Sequence, residues 1–171
     1  MFNQGDKIFY PMHGAGVIDR IEEKTILGKD EKYYIIKMPG EVTIMVPHDH
    51  AEELGLRHLV SKEQAKEVLG ILLEDTTDMS EKWSKRYNDN KERLKTGDLF
   101  EIADIYRNLS FRNKEKNLST SEKKMFLNAQ QVLISELSEV TGENYDTLQN
   151  KIDEKINQNY IDSIPEPDEN A

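Results

Sequence analysis

The only tryptophan of the sequence, Trp83, lies among positive charges. Lys82, Lys85 and Arg86 surround it, at offsets of three and four residues that predict one shared helical face. Lysine and arginine bind phosphate oxygens, and a flat apolar side chain beside them can insert at a base step in the minor groove of DNA. This spacing makes the four residues candidates for DNA binding. The alternative is that Trp83 and Tyr87, one helical turn apart, pack together in a hydrophobic core.

A second group of cations follows further along the chain. Lys123 and Lys124 lie in the first turn of a predicted helix, and residues 112–116 contribute further basic side chains to the loop before it. If these cations join the face of Trp83, each phosphate that they neutralise makes duplex binding more dependent on salt. The alternative is a solvated loop without a ligand.

The histidines make a weaker case for catalysis. His48 and His50 flank Asp49, which could put two imidazoles on one side of the chain. A metal site needs a further ligand and a general base needs a partner group, and the spacing supplies neither. The segment Gly14-Ala15-Gly16 lacks the third glycine of a dinucleotide-binding loop. We therefore expect no metal, no cofactor and no enzymatic activity.

The net charge of the whole chain argues against binding to nucleic acid, but the distribution of charge along the chain does not. The 171 residues carry 23 Lys and Arg against 33 Asp and Glu, a net charge of -10. Residues 1–75 have 9 basic and 14 acidic side chains, residues 76–124 have 12 and 9, and residues 125–171 have 2 and 10. Electrostatic fields between exposed charges fade over about 8 Å at physiological salt. The local balance of charge therefore decides whether a segment attracts phosphates. The middle segment alone favours phosphates.

Three features that the sequence lacks predict the cellular compartment of the protein. It has no cysteine, which excludes disulfides and fits a reducing environment. Met1 is not followed by the basic and apolar regions of a secretion signal, and no apolar run approaches the roughly 18 residues of a membrane span. We expect a cytoplasmic protein that binds no membrane.

The first part of the chain has the pattern of short strands separated by turns that contain proline and glycine. In residues 42–46, three apolar side chains alternate with Thr43 and Met45, which predicts a strand with one buried face and puts Met45 on the other. Strands are predicted at residues 7–10, 16–26, 32–38 and 42–46, with a polar loop at residues 27–31. Four to five short strands favour a small antiparallel Tudor-like or SH3-like β-barrel.

After Pro47 the period changes to that of helices. A short helix is predicted at residues 48–54. Ser61, followed three residues later by Gln64, forms a capping-box pattern before a helix that extends to Leu72. Further helices are predicted to begin after caps at Ser80, Asp98, Ser119 and Asn144.

These patterns predict an α+β protein of two domains. Residues 1–60 form the barrel, residues 61–75 a connecting helix and linker, and residues 76–142 an all-helical bundle. Residues 143–171 form an acidic helix and a tail, which is predicted to be disordered from Ile161.

Four segments of the sequence resemble the bacterial CarD/CdnL transcription regulators. They are Gly5-Asp6-Lys7-Ile8-Phe9-Tyr10-Pro11-Met12-His13-Gly14-Ala15-Gly16, Val46-Pro47, residues 83–91 and residues 118–125. The resemblance covers about residues 1–141. The barrel alone also resembles the polymerase-interacting domain of transcription-repair coupling factors, but the helical half with its tryptophan separates the two families.

The resemblance implies a non-enzymatic transcription regulator. In this family the N-terminal domain docks on the β subunit of RNA polymerase, and the helical domain contacts promoter DNA at the upstream edge of the transcription bubble. Trp83 would enter the minor groove there as a wedge and slow bubble collapse, while Lys85 and Arg86 grip the DNA backbone. The implied DNA-binding residues are Trp83, Lys82, Lys85, Arg86, Lys123 and Lys124.

The implied polymerase-binding residues are Lys24, Thr43 and Met45. Lys24 and Met45 match positions where relatives often carry arginines. Lys24 lacks the bidentate fork of arginine and Met45 lacks the charge, so we expect docking to be weaker or more apolar. Asn88 stands where some relatives have lysine, and the acidic segment from Glu143 is longer than the family pattern.

Two other functions stay open from the residues alone. One is an adaptor whose barrel and helices each bind a protein, without DNA contact, which the acidic total favours. The other is a metal-dependent enzyme that uses His48 and His50. An acidic monomer with a small basic face is expected to bind free DNA weakly, with little sequence preference, and to depend on polymerase to reach it.

Overall fold

The computed structural model describes residues 1–168, in which an antiparallel sheet is followed by a bundle of helices. The strands are β1 (Lys7–Tyr10), β2 (Gly14–Ile26), β3 (Lys29–Met38), β4 (Val42–Pro47) and β5 (Arg57–His58). They pair in the order β4-β3-β2-β1-β5, so β4 lies at one edge of the sheet. The prediction of a small antiparallel β domain at the N-terminus is confirmed.

One face of the sheet forms a small hydrophobic core. On β3 its side chains are two positions apart, at Tyr34, Ile36 and Met38, as the period of two requires. Tyr33 and Ile35 between them are also buried, on the other face of the strand. The segment between β4 and β5 covers this face and contributes Ala51 and Leu56 to the core. The strand residues of this core are Ile8, Ile18, Tyr34, Ile36, Met38 and Val46.

The connection between β2 and β3 is shorter than predicted. In place of a loop at residues 27–31, the two residues Leu27 and Gly28 form the turn, with φ angles of 52° and 77°. Pairing continues up to Ile26 and Lys29, so β3 begins three residues earlier than the polar composition indicated. The result is a long hairpin that ends in a tight turn.

The helices are α1 (Lys62–Ile71), α2 (Trp83–Lys95), α3 (Leu99–Glu115), α4 (Thr120–Thr141) and α5 (Tyr145–Ser163). Four of the predicted caps are confirmed. Ser61 closes a capping box with Gln64 on α1, and side-chain oxygens of Asp98, Ser119 and Asn144 accept backbone hydrogen bonds at the starts of α3, α4 and α5. Among the helices of residues 1–168, none combines the length and the hydropathy of a membrane-spanning segment.

Three predictions about the helices are wrong. The α2 helix begins at Trp83, because Lys82 and not Ser80 is the N-cap residue. Residues 48–54 contain only a 3-10 turn at His48–His50. The α5 helix extends through Ser163, whereas disorder was predicted from Ile161. The remainder of that predicted tail includes residues 169–171, which lie outside the described part of the chain.

The sheet and the helical bundle are joined along α4. Phe9 points away from the barrel core and packs among the buried residues of the helices. Ser135 of α4 accepts a hydrogen bond from the backbone nitrogen of Ala15 at 3.2 Å, and Asn128 and Gln131 donate to backbone oxygens of the β1–β2 turn. The two halves therefore have a defined relative orientation.

Candidate nucleic-acid interface

Trp83 is the first residue of α2 and its side chain is 47% exposed. The indole Nε1 donates a hydrogen bond to the hydroxyl oxygen of Ser119 at 3.1 Å. The ring stacks on Tyr87, with centroids 5.7 Å apart and planes inclined by 12°. Tyr87 itself is half-buried against the helical core. The predicted pairing with Tyr87 is thus present, but Trp83 lies at the surface and not in the core.

Ser119 connects this tryptophan to the start of α4. Its hydroxyl oxygen accepts a hydrogen bond from the backbone nitrogen of Glu122 at 3.2 Å, as an N-cap, and it also accepts the bond from the indole. The sequence indicated the cap because serine followed by glutamate three residues later is a local pattern. Its contact with Trp83 spans 36 positions and has no local signal.

Arg86 does not lie on the exposed face with Lys82 and Lys85, as its spacing predicted. It is 3% exposed, and one of its terminal nitrogens donates to Oε1 of Glu122 at 2.6 Å. The other donates to the backbone oxygens of Ser80 and Glu81. Glu122 is also buried, and a buried carboxylate requires a cation, which draws Arg86 inward. This ion pair ties α2 to α4 close to Trp83.

The side chains of Lys82, Lys85, Lys123 and Lys124 are exposed. Lys85 forms an ion pair with Asp89 at 2.7 Å, one turn further along α2. Lys82 lies at the N-cap position, and Lys123 and Lys124 lie in the first turn of α4. Among the ion pairs of residues 1–168, none involves these last three lysines. Ser119 joins the starts of the two helices, so α4 brings its lysine pair to the same end of the bundle as Trp83.

The sheet brings the predicted polymerase-binding residues onto one face. Met45 pairs opposite Ile35, which pairs opposite Arg20 on β2. Residues an even number of positions apart in a strand share a face, so Thr43 lies beside Met45 and Lys24 lies on the same face as Arg20. Met45 is 40% exposed. Because β4 is an edge strand, its outer backbone groups are also free to pair with another strand.

The histidine segment does not form a metal centre. The Nδ1 atom of His48 lies 3.0 Å from Asp49 and its ring packs on Tyr34, while His50 pairs with Glu53 at 3.3 Å. Within residues 1–168, no three potential ligands come together in a group that could hold a metal ion. The hypothesis of a metal-dependent enzyme gains no support from this geometry.

Comparison with known proteins finds similarity over most of the chain. Residues 2–60 match the family described as CarD-like/TRCF RID domain, and residues 67–153 match the family described as CarD, C-terminal domain. The chain is also 40% identical over 143 residues to "Putative transcription factor YdeB" of Bacillus subtilis (strain 168), covering 83% of this chain and 94% of that protein. The resemblance inferred from the four sequence segments is confirmed, as is the α+β fold with a Tudor-like first domain.

Proposed function

Because the chain belongs to the CarD family of transcription regulators, which interact with RNA polymerase, we propose that it stabilises the open promoter complex. In this proposal the N-terminal domain docks on the β subunit of polymerase. The helical domain then presents Trp83 to the minor groove at the upstream edge of the transcription bubble. The protein acts as a monomer, in the cytoplasm, without enzymatic activity.

The observation that carries the proposal is the position of Trp83. About half of its side chain is exposed, yet one edge of the ring is held by Ser119 and one side by Tyr87. A side chain that is already held in place can enter between base pairs without a further loss of conformational entropy. Ordering a mobile side chain on binding would instead cost affinity. Opening a base step also costs free energy, so the ring acts best where the duplex is already melting.

The surrounding charges support a contact with the DNA backbone. Lys82, Lys123 and Lys124 are exposed cations at the end of the bundle that carries Trp83, and Lys85 lies one turn along α2. Such contacts position a protein on DNA without reading its sequence. Arg86 is assigned a different role, in which it holds the two helix starts together through Glu122.

Docking on polymerase supplies the affinity that the small basic face lacks. Lys24, Thr43 and Met45 share one sheet face, and the neighbouring edge of β4 offers backbone groups for strand pairing. Once this face is bound, the helical domain meets DNA at high effective concentration. Weak binding to free DNA and a strong effect on the polymerase–promoter complex are then compatible.

A cross-linking experiment tests the proposed contact. A photoreactive phenylalanine derivative replaces Trp83, and the full-length protein is irradiated in a purified polymerase–promoter complex. We expect cross-links to DNA at the upstream edge of the bubble, and none when polymerase is omitted. The same substitution at Tyr160, on α5, is the matched control. Cross-links from position 83 to protein alone would contradict the proposal and favour the adaptor.

A further inference from the structure

The chain continues beyond the region of family similarity into a short acidic segment. The match to the CarD C-terminal domain ends at residue 153, whereas α5 ends at Ser163. Residues 164–168 follow this helix, and they are exposed and lie outside any helix or strand. Two prolines in this segment prevent the helix from continuing, and its charged residues, Glu166 and Asp168, are both acidic. We call residues 164–168 the acidic tail.

The contacts of α3 show in which direction α5 carries this tail. The ring of Tyr106 on α3 stacks on Phe126 of α4, and its hydroxyl donates a hydrogen bond to Asp153 of α5. These three residues therefore lie at one level of the bundle. Two turns further along α3, Lys114 donates to Oδ1 of Asn157 at 3.0 Å, so α3 and α5 run in the same direction.

The acidic tail therefore begins at the end of the bundle where α4 also begins. From Phe126 the chain of α4 leads back to its cap Ser119, and from Asp153 the chain of α5 leads forward to Ser163. At 1.5 Å per residue these distances are roughly 10 and 15 Å along the bundle, toward the same end. This is the end at which Ser119 holds Trp83.

The side chains at this end are predominantly basic. Residues 112–124 contain five basic and two acidic side chains. Lys114 and Lys116 at the end of α3 are exposed, as are Lys123 and Lys124 at the start of α4. Within residues 1–168, none of these four lysines forms an ion pair with a carboxylate. We call these four the terminal lysines.

The acidic tail is long enough to reach the terminal lysines. The ammonium of Lys114 lies 6.0 Å from the ring centroid of Tyr160, one turn before the helix ends at Ser163. Asp168 lies five residues beyond Ser163, a span of at most about 17 Å, whereas packed helices are about 8–10 Å apart. Exposed ion pairs are individually weak, but the covalent tether keeps the tail at a high effective concentration. Contacts of this strength form in the free protein and still yield to a stronger polyanion.

We infer that the acidic tail binds the terminal lysines of its own chain and competes there with the phosphates of DNA. This inference rests on the proposed function in one respect, since Lys123 and Lys124 are assigned to the DNA backbone. The tail then lowers the affinity of the free protein for DNA. Docking on polymerase brings DNA to this end at high effective concentration, and the DNA displaces the tail.

Cross-linking of the free full-length protein tests the contact itself. A carbodiimide joins a carboxylate to an amine that it touches, and mass spectrometry identifies the linked residues. We expect links from Glu166 or Asp168 to the terminal lysines. An equal mixture of ¹⁴N- and ¹⁵N-labelled protein separates links within one chain from links between two copies. The absence of such links, or links that join two copies only, would overturn the inference.

Two charge variants of the full-length protein test the competition. One combines Glu166→Gln with Asp168→Asn, and the control combines Glu63→Gln with Glu67→Gln, which makes the same charge change at exposed positions on α1. Binding to a short forked DNA is titrated without polymerase, at about 50 mM and about 300 mM salt.

We expect the tail variant to bind forked DNA about threefold more tightly than the control at the lower salt, and equally tightly at the higher salt, where the ion pairs are screened. Equal affinities of the two variants at both salt concentrations would overturn the competition. If none of the proteins binds DNA although the cross-links form, the proposed DNA contact fails and the competition with it. Tight DNA binding by all of them without cross-links refutes the tail contact alone.

Discussion

Ser119 is the residue on which the position of the tryptophan depends most directly. Its hydroxyl oxygen accepts hydrogen bonds from both the indole of Trp83 and the backbone of Glu122. A change at this position therefore removes a helix cap and a ring contact together. The two effects are separable because Ser61 caps α1 in the same way without touching Trp83.

We predict that Ser119→Ala and Ser61→Ala each lower the free energy of unfolding by about 1 kcal/mol through the lost cap. Only Ser119→Ala should also alter the fluorescence of the folded protein, because Trp83 is the only tryptophan and loses its hydrogen bond. Urea titrations followed by fluorescence measure both quantities. Identical spectra for wild type and Ser119→Ala would show that Ser119 does not hold the ring.

For single residues, local patterns predict some side-chain positions but not those that depend on a distant part of the chain. The exposure of Met45 follows from strand alternation, and the caps at Ser61 and Ser119 follow from local patterns. The inward position of Arg86 depends on Glu122, which lies 36 positions away and is itself buried. Helical spacing gives the direction of a side chain on its own helix, but not the charge of the helix packed against it.

Among the helices, Asp104 of α3 joins three parts of the chain. It accepts hydrogen bonds from Arg93 of α2 and from the hydroxyl of Thr77 in the segment between α1 and α2, and it also pairs with Arg107. Burial opposes its charge, but the hydrogen bonds from Arg93 and Thr77 outweigh burial and hold the pKa of this carboxyl below its ordinary 3.8. A carboxyl of this kind stabilises the fold above pH 3.8, and its contribution is lost as the pH falls through the lowered pKa.

We predict that Asp104→Asn lowers the free energy of unfolding at pH 7 by about 2 kcal/mol, because the hydrogen bonds to a charged acceptor are lost. The difference from wild type should shrink as the pH falls below about 4, because the carboxyl of the unfolded chain then takes up its proton before the folded carboxyl does. Urea unfolding at pH 7 and at pH 3 measures this difference in the free energy of unfolding. Asp89→Asn, at an exposed ion pair, is the control and should change stability by less than about 1 kcal/mol. A difference that does not vary with pH would contradict this role.

For helices, strands and turns, local sequence patterns predicted the structure better than features that depend on distant residues could be predicted. Strands β1 to β4 and four of the five predicted caps were predictable, because strand composition and serine, aspartate or asparagine caps act over a few residues. The two-residue turn at Leu27 was not, since leucine is a poor residue for positive φ and the polar stretch after it indicated a loop.

The whole molecule depends on the junction between sheet and bundle. Arg57 of β5 donates two hydrogen bonds to the carboxylate of Glu136 on α4, at 2.7 and 2.8 Å. Its guanidinium also lies 4.1 Å from the ring centroid of Phe9 and donates to the backbone oxygen of Gly97. Glu136 is fully buried. These contacts hold the sheet and the helical bundle at a constant relative orientation.

We predict that Glu136→Gln lowers the free energy of unfolding by about 3 kcal/mol, because Arg57 is left without its counter-charge. The loosened junction should also reduce the effect on open complexes while binding to polymerase persists. Glu139→Gln, which removes an exposed ion pair with Lys7 on the same helix, should cost less than about 1 kcal/mol. Calorimetry measures the stability, the decay of open complexes measures the effect on the promoter, and a polymerase titration measures binding. Equal behaviour of the two variants would argue against a rigid junction.

The lifetime of the open promoter complex tests the central claim most directly. Purified polymerase forms open complexes on a promoter with wild-type protein or Trp83→Ala, a competitor is added, and the decay is followed. The account predicts that wild-type protein prolongs the lifetime, whereas Trp83→Ala retains its fold and its binding to polymerase but loses that effect. A lifetime equally prolonged by Trp83→Ala would contradict the role of the tryptophan as a wedge.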